Sequence, residues 1–377
     1  MDGGGGIAAR LRHFTLHVRL TRGCNAHCTY CSSAGMGDDR MRPDDFARAV
    51  SWIADHVFPR LGVGPKHHLT IEYLGGEALI LPPKELQRAV ETARAVFGPK
   101  VKNLRDGVQT NLIGTPRRID DLVDLFQDRI GTSWDRRTGQ RHIKGDATLY
   151  DAMLDRSLRH LQGAHGITPG RVLVVDAHSA PHLSQEVEDA AKGGYNLVLR
   201  PVFNGGSPGV DHADLDTLVQ AYSAAWDTWR RLSSHHPGWR VDPFADLWER
   251  REKERAGAWP HGGCPFQSDC AWRSLSLDPD GTIYVCQEMA DSSMYPLGNA
   301  LEGRFEEATW RRLSARSHHL DASCKRCPWL ASCGGGCMQE AIARFGDPFA
   351  KTDLCAVWTA LFTKMDAAQA RPALQEA

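Results

Sequence analysis

Positive charge is not in excess in this sequence: Lys and Arg number 45 against 46 Asp and Glu. A protein held to nucleic acid mainly through phosphates needs a clear basic surplus, so that class of partner is excluded. No apolar run approaches the ~20 residues that a membrane-spanning helix requires. The N-terminal stretch Met1–Ala9 is Gly-rich and has no apolar core of a secretory signal. These absences imply a cytoplasmic protein with no membrane partner. Cysteine is missing from the 232 residues between Cys31 and Cys264. What remains is ordinary for a globular chain, 42% hydrophobic and 24% charged, and 377 residues give room for one large domain or two unequal ones.

The 11 cysteines that are present sit at the two ends of that gap. Cys24, Cys28 and Cys31 lie on one side, and eight more fall between Cys264 and Cys355. An odd number without an export signal speaks against a disulfide framework. Close clusters of this kind in a cytosolic chain hold metal.

Over residues 1–235, hydrophobic periodicity predicts alternating strands and helices. Strands are expected at Phe14–Leu20, Leu69–Leu74, Gly107–Leu112, Ile130–Trp134, Arg171–Asp176 and Asn196–Phe203. Helices are expected at Pro43–Phe58, Pro83–Phe97, Arg118–Phe126, Leu149–Leu161, Leu183–Lys192 and Leu215–Leu232. Such alternation implies an α/β fold with a parallel sheet, open or curled into a partial (β/α)6 barrel of TIM type. Residues 236–263, with Pro237, Pro243, Pro260 and the charged run Trp248–Arg255, read as a bridge after a first domain at 1–235. The charged run reads as a solvated helix face. Residues 264–377 form a cysteine-rich domain held by metal, closed by a helix at Ala356–Ala368.

Cys24-Asn-Ala-His-Cys28-Thr-Tyr-Cys31 has the spacing C-x3-C-x2-C and follows the first strand. Three thiolates can hold three irons of a [4Fe–4S] cluster and leave the fourth open to a ligand. Zinc, completed by His27, is the other reading of the same spacing. With Tyr30 just before the last cysteine, the motif resembles the signature of radical SAM enzymes. The resemblance implies that the open iron binds S-adenosylmethionine, and that its cleavage gives a 5′-deoxyadenosyl radical that takes hydrogen from a substrate. Further elements resemble the same family. Gly75-Gly76-Glu77 after the second strand is similar to its GGE motif, where glycines let the backbone approach and a carboxylate suits the methionyl ammonium. Thr110-Asn111 after the third strand and Ser133-Trp134-Asp135 after the fourth resemble its Thr-Asn and Ser-x-Asp elements. The resemblance makes Tyr30, Gly75, Gly76, Glu77, Thr110, Asn111, Ser133 and Asp135 cofactor-binding residues.

The second group runs Cys264, Cys270, Cys286, Cys324, Cys327, Cys333, Cys337 and Cys355. Eight thiolates can ligate two [4Fe–4S] clusters or two zinc ions, and counting alone leaves both open. The spacing resembles the SPASM domain, the auxiliary-cluster domain of some radical SAM enzymes. That likeness implies one cluster on Cys264, Cys270, Cys286 and Cys337, and a second on Cys324, Cys327, Cys333 and Cys355. The three sets together use every cysteine.

With no thiol to return hydrogen to a substrate radical, an oxidation is expected, its electron passing to the auxiliary clusters. The closest likeness is to anaerobic sulfatase-maturating enzymes and ribosomal-peptide maturases, which implies a peptide or protein substrate. Gln287 stands where the sulfatase-maturating enzymes have an Asp base, so Glu288 is the expected catalytic base. A flavodoxin- or ferredoxin-type donor is the expected reductant. Only 23 residues precede Cys24, so a leader peptide would be expected to be held by a separate protein or by another surface. A small aminocyclitol or sugar substrate, oxidised or epimerised, and formylglycine maturation of a sulfatase are the alternatives.

Overall fold

The computed structural model describes residues 12–203, 210–258, 264 and 266–370. The expectations for Met1–Ala9, Pro260 and Gly263 lie outside these residues. In chain order the main strands are β1 His13–Val18, β2 His68–Tyr73, β3 Asn103–Gln109, β4 Ile130–Ser133, β5 Gly170–Val175, β6 Leu197–Pro201, β7 Val241–Asp242 and β8 Ser274–Leu277. The main helices are α1 Pro43–Trp52, α2 Pro83–Phe97, α3 Pro116–Phe126, α4 Ala147–His165, α5 Leu183–Gly193, α6 Leu215–Ser233, α7 Phe244–Arg255, α8 Gln287–Asp291 and α9 Cys355–Ala370. The strand–helix alternation read from the sequence is present.

The chain divides into two compact units. Of the described residues, the first comprises 12–169 and 269–315. In it β1, β2, β3 and β4 lie side by side, each parallel to the next. β1 shows why it forms: Phe14, Leu16 and Val18 alternate with less buried residues, the period of a strand. Pro43 opens α1, Asp44 and Asp45 face its positive end, and Phe46, Ala49 and Val50 supply its buried face. β8 joins the other side of β1 in parallel, pairing Thr15 with Ser274 and Val18 with Leu277. A hairpin through Gly281 then returns antiparallel at Thr282–Tyr284. Gly281 has φ +86°, and a Cβ there would come 2.7 Å from both Asn299 Oδ1 and Leu301 Cγ. This turn delivers the chain to Cys286.

Of the described residues, the second unit comprises 170–203, 210–258, 264, 266–268 and 316–370. β5, β6 and β7 are mutually parallel in it. Its core is aromatic: Trp226, Trp229, Phe244, Phe266 and Trp358 are all buried. Trp358 of α9 meets Tyr222 of α6 at 5.7 Å and Phe266 at 4.8 Å, both edge-on. The expected solvated face on Trp248–Arg255 is present at Glu252, Lys253 and Arg255, which are exposed, and needs correction at two positions. Arg250 and Arg251 are buried, and the Arg250 guanidinium donates to the carbonyls of Phe266 and Ser332 while pairing with Asp246. Carbonyls of irregular loops need donors once water is excluded, and a long cation supplies several at once. No helix among the described residues is long and apolar enough to cross a membrane.

Candidate metal and cofactor sites

In the first unit the Cys24–Cys31 loop leaves the end of β1 and is fixed on three sides. On one side, His27–Cys28 pairs antiparallel with Arg141–His142, and Thr29 bonds Gln140 through backbone and side chain. Below the loop, the Tyr30 hydroxyl donates to Asp135, which also accepts from Arg141 Nε at 2.9 Å. The Arg141 guanidinium lies 5.5 Å from the Tyr30 ring and 5.8 Å from the Tyr150 ring. On the third side, Ser32 and Ser33, directly after Cys31, donate to Asp291 of α8. The Asp291 side chain is 4% exposed and also accepts from Arg19 and Gln287. Arg19 is completely buried, and Arg22 ties the same stretch to Asp278 at 2.6 Å.

The glycine motif meets the loop from β2. Gly75 and Gly76 have φ of +79° and +54°. A Cβ on Gly76 would lie 2.4 Å from the Thr21 carbonyl oxygen and 2.5 Å from that of Gly23, so only glycine fits. Glu77, 1% exposed, donates its N–H to the Gly23 carbonyl. Its carboxylate accepts from Leu79 N at 2.9 Å, Thr110 Oγ1 at 2.6 Å and Asn111 N at 2.6 Å. Burial raises this carboxyl above the usual range, and those hydrogen bonds oppose the shift. Asn111 Nδ2 donates to Asn25 Oδ1 at 2.7 Å and approaches Cys24 Sγ at 3.7 Å. Ser133 accepts from Gln109 Nε2 at 2.9 Å. The structure thus brings Tyr30, Gly75, Gly76, Glu77, Thr110, Asn111 and Asp135 around one cysteine loop, each also bound to or packed against its own chain.

The donor set fits an iron–sulfur cluster. Burial raises the Cys24 and Cys31 thiols, and Cys28 is pushed up to about 12, first by burial and then by Cys31, Asp135 and Cys24. Three thiols of one loop held neutral by burial need added positive charge to become thiolates, and iron supplies it.

A second such set lies in the second unit. Cys333 is pushed up to about 12 by burial and then by Cys355, Cys324 and Cys327, so these four thiols are neighbours. Burial likewise raises Cys324 and Cys355. The loop before Cys337 is Gly334-Gly335-Gly336, with φ of +63°, +85° and +73°. A Cβ on Gly336 would sit 2.2 Å from Thr352 Cγ2. Arg316, wholly buried, donates to the carbonyls of Gly335, Gly336, Pro348 and Ala350. Sequence reading missed Arg316, as it missed Arg19, Arg141, Asp278 and Asp291, because a single charged residue carries no periodic signal. Arg316→Ala leaves these carbonyls without their donor. The expected result is about four fewer irons per chain after reconstitution, from loss of one four-iron set. Iron content equal to the wild type would remove Arg316 from this account. Of the remaining cysteines, Cys270 and Cys286 belong to the first unit and Cys264 and Cys337 to the second. Glu288 is half-buried on α8, one residue beyond Gln287.

Residues 264–328 match the family model of SPASM, an iron–sulfur cluster-binding domain. The structure of native anSMEcpe with bound AdoMet superposes with a TM-score of 0.75 at 16% identity, covering 95% of this chain and 100% of that one. The chain shares that fold, and the SPASM match lies within it at residues 264–328. Streptococcus suis SuiB bound to S-adenosylmethionine gives a TM-score of 0.56 at 15% identity, covering 91% of this chain and 77% of SuiB. GTP 3′,8-cyclase 2 of Mycobacterium tuberculosis is 31% identical over 126 residues, 32% of this chain and 31% of that protein. The probable GTP 3′,8-cyclase of Halobacterium salinarum is 27% identical over 188 residues, 49% of this chain and 49% of that protein. The chain therefore spans about a third to a half of the length of these curated relatives.

Proposed function

We propose that this protein is a radical SAM oxidoreductase that modifies a side chain of a peptide or protein. The observation that carries this reading is the cysteine inventory: three motif cysteines and eight SPASM-type cysteines leave no thiol to return hydrogen. Cys24, Cys28 and Cys31 would hold the first [4Fe–4S] cluster, and Tyr30, Gly75, Gly76, Glu77, Thr110, Asn111, Ser133 and Asp135 shape the S-adenosylmethionine site around it. Cys264, Cys270, Cys286 and Cys337 would hold one auxiliary cluster, and Cys324, Cys327, Cys333 and Cys355 the other. When bound, these groups supply hydrogen-atom abstraction by a 5′-deoxyadenosyl radical and accept the electron left on the substrate.

This chain's own residues arrange the rest. Glu77 holds the Thr110–Asn111 turn against the cysteine loop, so the backbone at this site is set before a ligand arrives. Asp291 is committed to Arg19, Ser32, Ser33 and Gln287, which makes it a positioning group. Glu288, on the same short helix, is assigned as the base that takes the proton from the oxidised carbon. Hydrogen atom, electron and proton together amount to two hydrogens removed.

Peptide substrates are supported by the solved neighbours, described as anSMEcpe with bound Kp18Cys peptide and SuiB bound to precursor peptide SuiA. A flavodoxin- or ferredoxin-type donor supplies electrons in this reading, and a separate protein presents any leader. A small-molecule substrate is the second reading, favoured by the partial likeness to the GTP 3′,8-cyclases. The test is the mass of the product formed from a candidate precursor peptide in deuterated water. A product lighter by two mass units is expected from loss of two hydrogens. A product one unit heavier, with deuterium on carbon, would mean that hydrogen is returned and that oxidation is wrong.

A further inference from the structure

Outside the cysteine motifs, one cluster of metal-ligating side chains stands apart. Asp120, His160 and His165 place a carboxylate oxygen and two imidazole nitrogens within 4.8 Å of one another. α3 buries Ile119, Leu122 and Phe126, which leaves Asp120 on its partly exposed side. α4 starts at Asp146, whose side chain caps Leu149 N, and ends at Gly166 in the left-handed conformation. His165 is its last residue, in the last turn, where the helix dipole favours positive charge, and His160 lies five residues earlier. His160 Nε2 lies 2.6 Å and His165 Nε2 2.7 Å from the same Asp120 oxygen. The two rings stand nearly perpendicular, 82° apart, with centroids at 5.7 Å.

We propose that Asp120, His160 and His165 bind a divalent transition metal ion that clips α3 to α4. Two imidazoles and one carboxylate suit zinc, cobalt or nickel, whereas magnesium and calcium prefer all-oxygen sites. Metal bonds of about 2.0–2.1 Å in tetrahedral geometry set ligand atoms about 3.3 Å apart. The nitrogens must therefore move from the carboxylate oxygen by about 0.6 Å, within reach of small side-chain rotations at a partly exposed site. Water completes the coordination. The proposal does not depend on the radical chemistry, since none of the three residues belongs to the cysteine sets.

The probe is zinc, added anaerobically to the cluster-loaded protein by dialysis against a zinc buffer, followed by analysis of zinc and iron together. Wild type is compared with the double variant His160→Ala/His165→Ala and with Asp120→Asn. The wild type is expected to keep about one zinc per chain more than either variant, at equal iron, and the variants to bind at least tenfold more weakly. Zinc is also expected to raise the unfolding midpoint of the wild type and to leave that of Asp120→Asn unchanged. Zinc taken up equally by all three proteins belongs to cysteine sites, and that outcome overturns the proposal. A wild type whose midpoint does not respond to zinc overturns it as well, even where one variant fails to fold.

Discussion

Gly76→Ala is expected to abolish S-adenosylmethionine cleavage and to remove about four of about twelve irons per chain, the share of one four-iron cluster. The added methyl would be placed 2.4 Å from the Thr21 oxygen and 2.5 Å from the Gly23 oxygen. Both are backbone atoms of the segment that leads into Cys24, so relief requires the cysteine loop itself to move. The left-handed φ of +54° adds strain of its own for a residue with a Cβ. Gly64→Ala is the control, because a Cβ there meets nothing within 4 Å. Iron analysis and a 5′-deoxyadenosine assay on both variants check this. Normal iron and normal cleavage in Gly76→Ala would mean that the glycine turn does not shape the site.

Glu77→Ala is expected to lower the unfolding midpoint strongly and to weaken S-adenosylmethionine binding, while most of the iron remains. The buried carboxylate serves Leu79 N, Thr110 Oγ1 and Asn111 N, and its removal leaves those donors unmet. A buried donor left unsatisfied costs about 1–3 kcal/mol, so a loss of roughly 3 kcal/mol or more is expected. In a unit of this size that corresponds to roughly 6–12 °C in the midpoint. Thermal unfolding followed beside a binding titration separates the two effects. A midpoint within about 1 °C of the wild type would be the size of an ordinary surface substitution and would contradict the buried-anchor role.

The sequence made the strand–helix order legible because alternating burial leaves a direct mark on residue type. Pro83–Phe97 was readable to its ends, with Pro at the first turn and Leu86, Ala89, Val90 and Ala93 on one face. β3 was harder. Its expected position, Gly107–Leu112, lies downstream of the observed Asn103–Gln109, whose first residues are polar. Those residues pair through the backbone, Asn103 with His68 and Arg105 with Thr70, and backbone pairing leaves no trace in side-chain hydrophobicity. Two-residue β7 and the short Ser-Leu alternation of β8 were below the length at which periodicity speaks. The two cysteine clusters were conspicuous in the sequence by their spacing, and their division into ligand sets came from the resemblance. The groups that fix them were not: Arg19 with Asp291 and Arg316 with four carbonyls join residues far apart in sequence, and Arg141, though near Asp135 in the chain, carries no periodic signal. The resemblance pointed to Glu77 as a partner for an ammonium, and the structure adds that its oxygens also bind its own chain's donors.

The measurement that tests the central claim most directly is 5′-deoxyadenosine formation by the reduced, iron-loaded protein, beside its Cys24→Ala/Cys28→Ala/Cys31→Ala variant. The wild type is expected to carry about twelve irons and to form 5′-deoxyadenosine from S-adenosylmethionine, and the variant to keep about eight irons and form none. Cleavage that survives in the variant, or a wild type that holds zinc in place of iron, would contradict the assignment of this loop.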